Sequence, residues 1–158
     1  MELVQIDVCD EDSIAAAAKT IKSKGVSLYG LVNNAGVGLQ TSKSPDDILV
    51  TNYYGPKKVT EAFLDLMDAK EGRVVNVSSG AASMWLRNQD DKTKKLFSSY
   101  DTTVEELEAA IKENLSSKNF SMGSKGQPLA YIRHSLVHVE ISYHSSSSPS
   151  VPGTFMQR

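Results

Sequence analysis

The sequence predicts an α/β fold, a doubly wound parallel sheet with helices crossing between its strands. Three apolar, β-rich runs, at residues 3–8, 28–32 and 73–77, are separated by segments with helical periodicity. Alternation of strand and helix requires crossover connections, so the strands are expected to run parallel. The chain of 158 residues, 40% hydrophobic and 23% charged, is long enough to bury one core. One domain is therefore expected.

The first β-rich run leads directly into a helix signal. Residues 3–8 are followed by Asp10 and further acidic residues, which suit a helix start. Apolar side chains recur at helical spacing as far as Ile21, and lysines occupy the last turn before Gly25, the expected C-cap. Cys9 is the only cysteine and has no disulfide partner, so we expect it to be a small buried strand residue.

A long helix is expected after the second strand. Ser44 is the expected N-cap, the proline after it suits the first helical position, and Asp47 can accept from backbone N–H groups. The helix should run to about Met67. A Gly-Pro pair ending at Pro56 predicts a kink beside Asn52, because proline removes a helical hydrogen bond and clashes with the preceding turn.

The third β-rich run is short and rich in valine. It follows the turn residue Gly72, and the valines of residues 73–77 predict a strand that is buried on both faces. Residues 80–126 carry many charges and contain a second helix signal, since Thr103 to Glu106 has the form of a capping box. A narrow apolar stripe predicts that this helix lies on the surface of the sheet domain. The stripe consists of Val104, Leu107, Ile111 and Leu115.

Composition and charge exclude several classes of partner. A net charge of -2 and a pI near 5.9 give no basic surface for nucleic acid. No apolar run approaches the ~20 residues that cross a bilayer, and there is no signal-peptide pattern, so we expect no membrane partner and a cytoplasmic location. His134 and His138 lack the glutamate of a zinc-protease motif, so no metal is expected. Residues 145–158, rich in serine and proline, are expected to be a loose tail after a domain at residues 1–144.

Two motifs identify a family resemblance. The second strand ends in VNNAG at residues 32–36, and the third in GRVVNVSS at residues 72–79. Together with Asn52 in the long helix, these motifs resemble the middle of a short-chain dehydrogenase/reductase. The resemblance implies a Rossmann-type sheet. We expect a partial one, because the chain begins at the family's third strand, without the first βαβ unit and its Gly-rich phosphate loop, and lacks the last strands.

The resemblance implies a dinucleotide cofactor. Asn34, Ala35 and Gly36 would lie beside it, and Asp7 and Val8 would contact its adenine. Taken alone, the asparagine motif is equally a polar strand-to-loop turn. An aspartate that ends a strand before a helix is also a common cap or turn former, so both interpretations of Asp7 stay open.

The same resemblance supplies three catalytic candidates. Asn52 matches the helix asparagine that holds a water in the proton relay, Ser79 the serine that orients the substrate carbonyl, and Tyr131 the tyrosine that acts as general acid. The residues alone also allow a solvated Asn52 and a Ser79 that is only a polar strand end. The family's lysine, four residues after the tyrosine, is missing: Ser135 stands there, and no lysine follows Lys125.

Two functional hypotheses follow from these matches. Tyr131 lies far beyond Ser79, a spacing typical of the monomeric carbonyl-reductase branch, whose helical insertion matches residues 90–118. That branch implies NADPH-dependent reduction of a small carbonyl substrate to an alcohol by a monomer. The alternative is a truncated or misspliced fragment without catalytic activity, which acts, if at all, as an interaction module through exposed sheet edges.

Overall fold

Strand and helix alternate along the chain as the sequence predicts. The computed structural model describes residues 2–38, 41–42, 44–77, 85–99 and 101–116. Within these ranges the α-helices are α1 (Glu11–Lys22), α2 (Pro45–Leu49), α3 (Gly55–Phe63), α4 (Asp91–Ser98) and α5 (Val104–Ser116). The strands are β1 (Gly30–Asn33) and β2 (Arg73–Asn76). A π-helix at Val50–Tyr54 joins α2 to α3, and α3 ends in a 3-10 turn at Leu64–Leu66.

The two strands form a parallel sheet, and this confirms the predicted parallel direction of the strands. Gly30 lies opposite Arg73 and Asn33 opposite Asn76. Helix α3 packs against β1, and α1 packs against α3, so one face of the sheet is covered by helices. The core of this layer consists of Ile14, Ala17, Val59 and Phe63, with Leu28 and Leu31 packed beside them. The arrangement is a partial Rossmann-type α/β fold, which is the predicted class.

Residues 3–8, a predicted β-rich run, are not a strand in the structure. This segment has no strand pairing, and β1 takes only β2 as its partner in the part of the chain that the structure describes. Its side chains still anchor it, because Val4 and Val8 pack against the core under α1 and α3. Cys9 is also corrected: it is exposed in the following turn, with its Sγ 3.3 Å from the hydroxyl of Thr51.

The sheet is not buried on both faces, contrary to the prediction for residues 73–77. Successive strand residues point to opposite faces, and Leu31 and Val74 are half-buried on the helix side. On the other side Val32 is 60% exposed and Val75, its cross-strand partner, is 49% exposed. No described element covers that face, so burial supports only one side of the sheet.

Helix boundaries follow the predicted capping residues with one shift. The Asp10 carboxylate caps α1 by accepting from the N–H of Asp12. The helix ends at Lys22 with Ser23 as C-cap, so Gly25, at φ 64°, serves the following turn and is not the predicted cap. The predicted capping boxes are confirmed at Ser44 to Asp47 before α2 and at Thr103 to Glu106 before α5.

Helices α4 and α5 build a second core over the start of the long helix. The aromatic rings of Trp85 and Phe97 meet edge-to-face with centroids 5.6 Å apart. Leu107 and Ile111, two residues of the predicted apolar stripe of α5, lie in this cluster together with residues of α2 and the π-helix. The buried cluster consists of Ile48, Leu49, Tyr53, Trp85, Phe97, Leu107 and Ile111.

Candidate functional site

The irregular turn predicted in the long helix is a π-turn that contains Asn52. The N–H of Gly55 donates to the carbonyl of Val50, five residues earlier, which is the hydrogen-bond pattern of a π-helix. Pro56 follows and has no N–H to donate to the carbonyl of Asn52. The Gly-Pro pair therefore widens the helix by one residue at the position of the candidate asparagine.

The Asn52 side chain is buried and hydrogen-bonded at both of its polar ends to the backbone of Val37. Only 2% of Asn52 is exposed. Its Nδ2 donates to the carbonyl oxygen of Val37 at 2.9 Å, and its Oδ1 accepts from the N–H of Val37 at 2.8 Å. A buried amide needs such partners, and here both of its polar ends are matched. Asn52 therefore clamps the loop after β1, and the alternative of a solvated helix residue is wrong.

Asn33 secures the same loop at its other end. Its Nδ2 donates to Oγ1 of Thr60 at 3.0 Å and to Oδ1 of Asn76 at 2.8 Å. One side chain thus joins β1, β2 and α3. With Asn33 and Asn52 holding its two ends, the intervening loop has a fixed course at the carboxyl end of β1.

The candidate cofactor residues between these anchors are exposed. Asn34, Ala35 and Gly36 are all accessible to solvent. Asn34 and Ala35 line a cavity of about 240 Å³ that opens between residues 3–8 and the helix-covered face of the sheet. Val8 also lines this cavity, so three of the five predicted cofactor residues lie around it.

Asp7 forms a turn in the structure. Its Oδ1 accepts from the N–H of Cys9 at 2.9 Å, and its own N–H donates to Oγ of Ser13 at 2.8 Å. Val8 then passes close to the long helix, where a Cβ on Gly55 would stand 3.0 Å from the carbonyl oxygen of Val8. Glycine at position 55 therefore permits the segment to cross the helix next to the π-turn.

Sequence reasoning missed a polar cluster on the other side of the π-turn. Oε1 of Glu108 accepts from Nζ of Lys57 at 2.8 Å and from the hydroxyl of Tyr53 at 3.2 Å. The spacing of Tyr53 and Lys57, four residues apart, could have indicated a shared helix face. The spacing could not reveal Glu108, because that partner comes from a distant helix.

Glu108 and burial control the protonation of both partners. Burial, followed by the negative charge of Glu108, raises the pKa of Tyr53 far above its ordinary value, so the phenol stays protonated. Burial alone would lower the pKa of Lys57, but the hydrogen bond and charge of Glu108 outweigh it and raise that pKa. The cluster therefore pairs one cation, one anion and one neutral donor at neutral pH.

Two of the predicted catalytic residues, Ser79 and Tyr131, lie outside the described residues, and their roles stay predictions. The strands place the exit of β2 near the asparagine loop, because carboxyl ends of parallel strands share one edge. The N–H of Val77 donates to the carbonyl of Asn33 at 3.0 Å, so the pairing continues past Asn76. The chain that leads to Ser79 leaves β2 at this edge.

The described residues fit part of a dinucleotide site. The exposed asparagine loop offers a wall with small side chains at Ala35 and Gly36. A diphosphate needs backbone donors at a helix N-terminus without repelling charge, yet α1, α2, α4 and α5 each carry acidic residues in the first turn. The part of the chain described here therefore supplies no cradle for the diphosphate. Within the same part, no three His, Cys, Asp or Glu side chains are grouped to hold a metal.

The structure is thus an α/β protein with a partial Rossmann-type sheet and an asparagine-clamped loop at the carboxyl edge of that sheet. Residues 1–90 match the family described as short chain dehydrogenase. The chain belongs to the short-chain dehydrogenase family. None of the described helices has the length and apolar character needed to span a membrane.

Individual relatives match different shares of the chain. Bovine mitochondrial D-beta-hydroxybutyrate dehydrogenase is 36% identical over 91 residues, 50% of this chain and 26% of the relative. The (+)-neomenthol dehydrogenase of Arabidopsis thaliana is 31% identical over 105 residues, 51% of this chain and 36% of the relative. The solved structure of menthone neomenthol reductase from Mentha piperita matches 89% of this chain and 63% of its own, with 28% identity and a TM-score of 0.64. The chain thus spans well under half the length of these two curated relatives.

Proposed function

We propose that this chain is an oxidoreductase that reduces a carbonyl group to an alcohol with NADPH. The observation that carries the proposal is the paired hydrogen bonding of Asn52 with Val37, inside a π-turn and beside the exposed asparagine loop. A buried amide that fixes the backbone at a sheet's carboxyl edge suits a site that must hold a ligand in one orientation. Membership of the short-chain dehydrogenase family supports the reaction class.

The proposed roles follow the family resemblance residue by residue. Asn52 belongs to the proton relay, Ser79 donates a hydrogen bond to the substrate carbonyl, and Tyr131 delivers a proton to the forming alcohol oxygen. Asn34 and its two small neighbours form a wall of the cofactor site, with Asp7 and Val8 at the adenine end. A bound nicotinamide cofactor supplies the hydride.

A small carbonyl compound is the proposed substrate class. The Mentha structure carries the names of menthone and neomenthol, a ketone and the corresponding alcohol, and the Arabidopsis relative is named for neomenthol alone. These names support a compact, mostly apolar ketone.

Fluorescence titration of the purified chain with NADPH and NADH tests the cofactor proposal. We expect micromolar binding of NADPH and weaker binding of NADH. Turnover is then measured from the absorbance of the reduced nicotinamide with a panel of cyclic and aromatic ketones. Tyr131→Phe and Ser79→Ala should abolish turnover and leave cofactor binding intact, whereas Val26→Thr, in an exposed loop, should change neither. No binding up to millimolar NADPH contradicts the proposal.

A non-catalytic interaction module is the second candidate. Two observations favour it: Ser135 occupies the position of the family's lysine, and the uncovered sheet face exposes Val32 and Val75. The lysine lowers the pKa of the catalytic tyrosine in the family, and a phenol at its ordinary pKa of ~10 is a poor base at neutral pH. The same titration separates the candidates, since an interaction module needs no nucleotide.

A further inference from the structure

One carboxylate ties the long helix to α5 on both sides of its proline. Tyr53 is the residue before Tyr54 at the end of the π-turn, and Lys57 lies in α3, beyond Pro56. Both donate to the same oxygen of Glu108, at 3.2 Å and 2.8 Å. A single acceptor from α5 therefore fixes the helix before and after the point where proline interrupts its hydrogen bonds.

The position of this cluster matters because Tyr53 follows Asn52 directly. Tyr53 is almost completely buried, and its ring meets that of Tyr54 edge-to-face with centroids 5.0 Å apart. A rotation of the π-turn that moved the Tyr53 hydroxyl away from Glu108 would also move the Asn52 amide away from Val37. The hydrogen bonds of Tyr53 and those of Asn52 therefore form together at one rotation of the π-turn about the helix axis.

We propose that Glu108 is a positioning residue, which holds the π-turn in the register that lets Asn52 clamp Val37. A role of Glu108 in catalysis rests on the proposed function. The structural link from Glu108 through the π-turn to Val37 does not depend on that function. Glu108 lies in the helical insertion at residues 90–118. The insertion thus supplies the carboxylate that positions Asn52, the candidate catalytic asparagine.

Apolar packing alone does not account for this register. Leu107 and Ile111 of α5 share a buried apolar cluster with Ile48 and Leu49 of α2, which precede the π-turn. Such contacts are non-directional and tolerate small rotations, whereas a hydrogen bond to a charged group is short and directional. Loss of the carboxylate should thus leave α5 docked and loosen the turn.

Hydrogen exchange of the Val37 amide tests the link, because that N–H donates to Asn52. Ala17, buried in the other core, is the internal reference for global opening. Glu108→Leu should speed exchange at Val37 about tenfold relative to Ala17, the factor that ~1.4 kcal/mol of local opening produces. The matched control is Glu105→Leu, the same change at an exposed position of α5, and it should leave the ratio unchanged.

A second pair of variants keeps the test decisive if Glu108→Leu fails to fold. Lys57→Met removes one of the two donors and should raise the Val37 to Ala17 ratio several-fold, while Lys57→Arg retains a cation and should restore slow exchange. If amide exchange accelerates equally at Val37 and Ala17, Glu108 only stabilises the fold as a whole. If the exchange rate of Val37 does not change, Glu108 does not position the π-turn. The measurement needs neither cofactor nor substrate, so its outcome is independent of the proposed reaction.

Discussion

At the scale of single residues, the side-chain amide of Asn52 fixes the geometry of the candidate site. Asn52 has one donor and one acceptor aimed at one backbone unit, so it replaces the pairing that a neighbouring strand would give Val37. A buried asparagine in a helix must have hydrogen-bond partners. The identity of that partner could not be predicted, because it depends on how the loop after β1 folds back against the helix.

Truncation of this amide should destabilise the protein. Asn52→Ala leaves the N–H and carbonyl of Val37 without their partners and opens a small void, and we expect a loss of about 2–4 kcal/mol in the free energy of unfolding. Urea denaturation measures the loss from the shift in midpoint at constant slope. Asn34→Ala, at an exposed position two residues after Val32, should cost less than about 0.5 kcal/mol. Equal losses in the two variants would contradict the clamp.

Asn52→Asp should make the same clamp sensitive to pH. A protonated carboxyl has an acceptor and an O–H donor and can serve both groups of Val37, whereas the ionised form has no donor. Burial and the nearby carbonyl raise the pKa of the introduced carboxyl above its unfolded value, so the folded state binds more protons. The variant should therefore gain stability relative to the unchanged protein as pH falls from about 7 towards about 4, and lose it as pH rises. Denaturation midpoints of both proteins are measured across this pH range. A difference between the two midpoints that stays constant with pH would contradict the prediction.

At the scale of elements, tight turns decide where the predicted segments begin. The turn between α3 and β2 is closed by the N–H of Gly72, which donates to the carbonyl of Asp68 at 2.9 Å. The Asp68 carboxylate accepts from the N–H groups of Glu71 and Lys70, and these hydrogen bonds lower the pKa of Asp68. Sequence predicted a turn at Gly72 correctly, but not the close approach that makes glycine necessary there.

Gly72→Ala should therefore weaken the entry into β2. The added Cβ would stand 2.5 Å from the carbonyl oxygen of Asp68, so the backbone must shift, at an expected cost of about 1–3 kcal/mol. Gly38→Ala is the matched control, because nothing lies within 4 Å of its added Cβ. Thermal unfolding of the two variants compares them. A Gly72→Ala variant as stable as the control would show that the turn relaxes freely.

The start of α4 should lose its cap in acid. The N–H of Thr93 donates to Oδ1 of Asp90 at 2.7 Å, and this hydrogen bond is the main reason why the pKa of Asp90 lies below its ordinary value. A lowered pKa means that the cap stabilises the folded state above the unfolded pKa of about 3.9 and is lost as pH falls through the lower folded value. Exchange of the Thr93 amide should accelerate in that range. Asp90→Asn keeps a capping side chain that does not titrate. In that variant the protection of the Thr93 amide, corrected for the intrinsic pH dependence of exchange, should not change with pH.

For the whole molecule, local sequence signals were enough to predict the class of fold. They were not enough to predict how many strands pair and which faces of the sheet are covered. Caps at Asp10, Ser44 and Thr103 are local features of sequence, and all three begin helices as expected. The strand at residues 3–8 and the burial of residues 73–77 depend on neighbours that local patterns cannot supply. A parallel sheet is stable when both faces are covered, and the described chain covers one.

The sheet face that the described residues leave uncovered should make the protein associate with itself. Val32 and Val75 lie opposite each other across the two strands and are 60% and 49% exposed, so they form an exposed apolar pair. The double variant Val32→Thr, Val75→Thr keeps the β-branched shape that suits a strand and removes apolar area. Sedimentation velocity should show concentration-dependent association of the unchanged protein at tens of micromolar and a marked shift towards monomer in the double variant. Val26→Thr, at a position 52% exposed outside the strands, should leave association unchanged. If both variants shift the equilibrium alike, general surface hydrophobicity and not the sheet face drives the association.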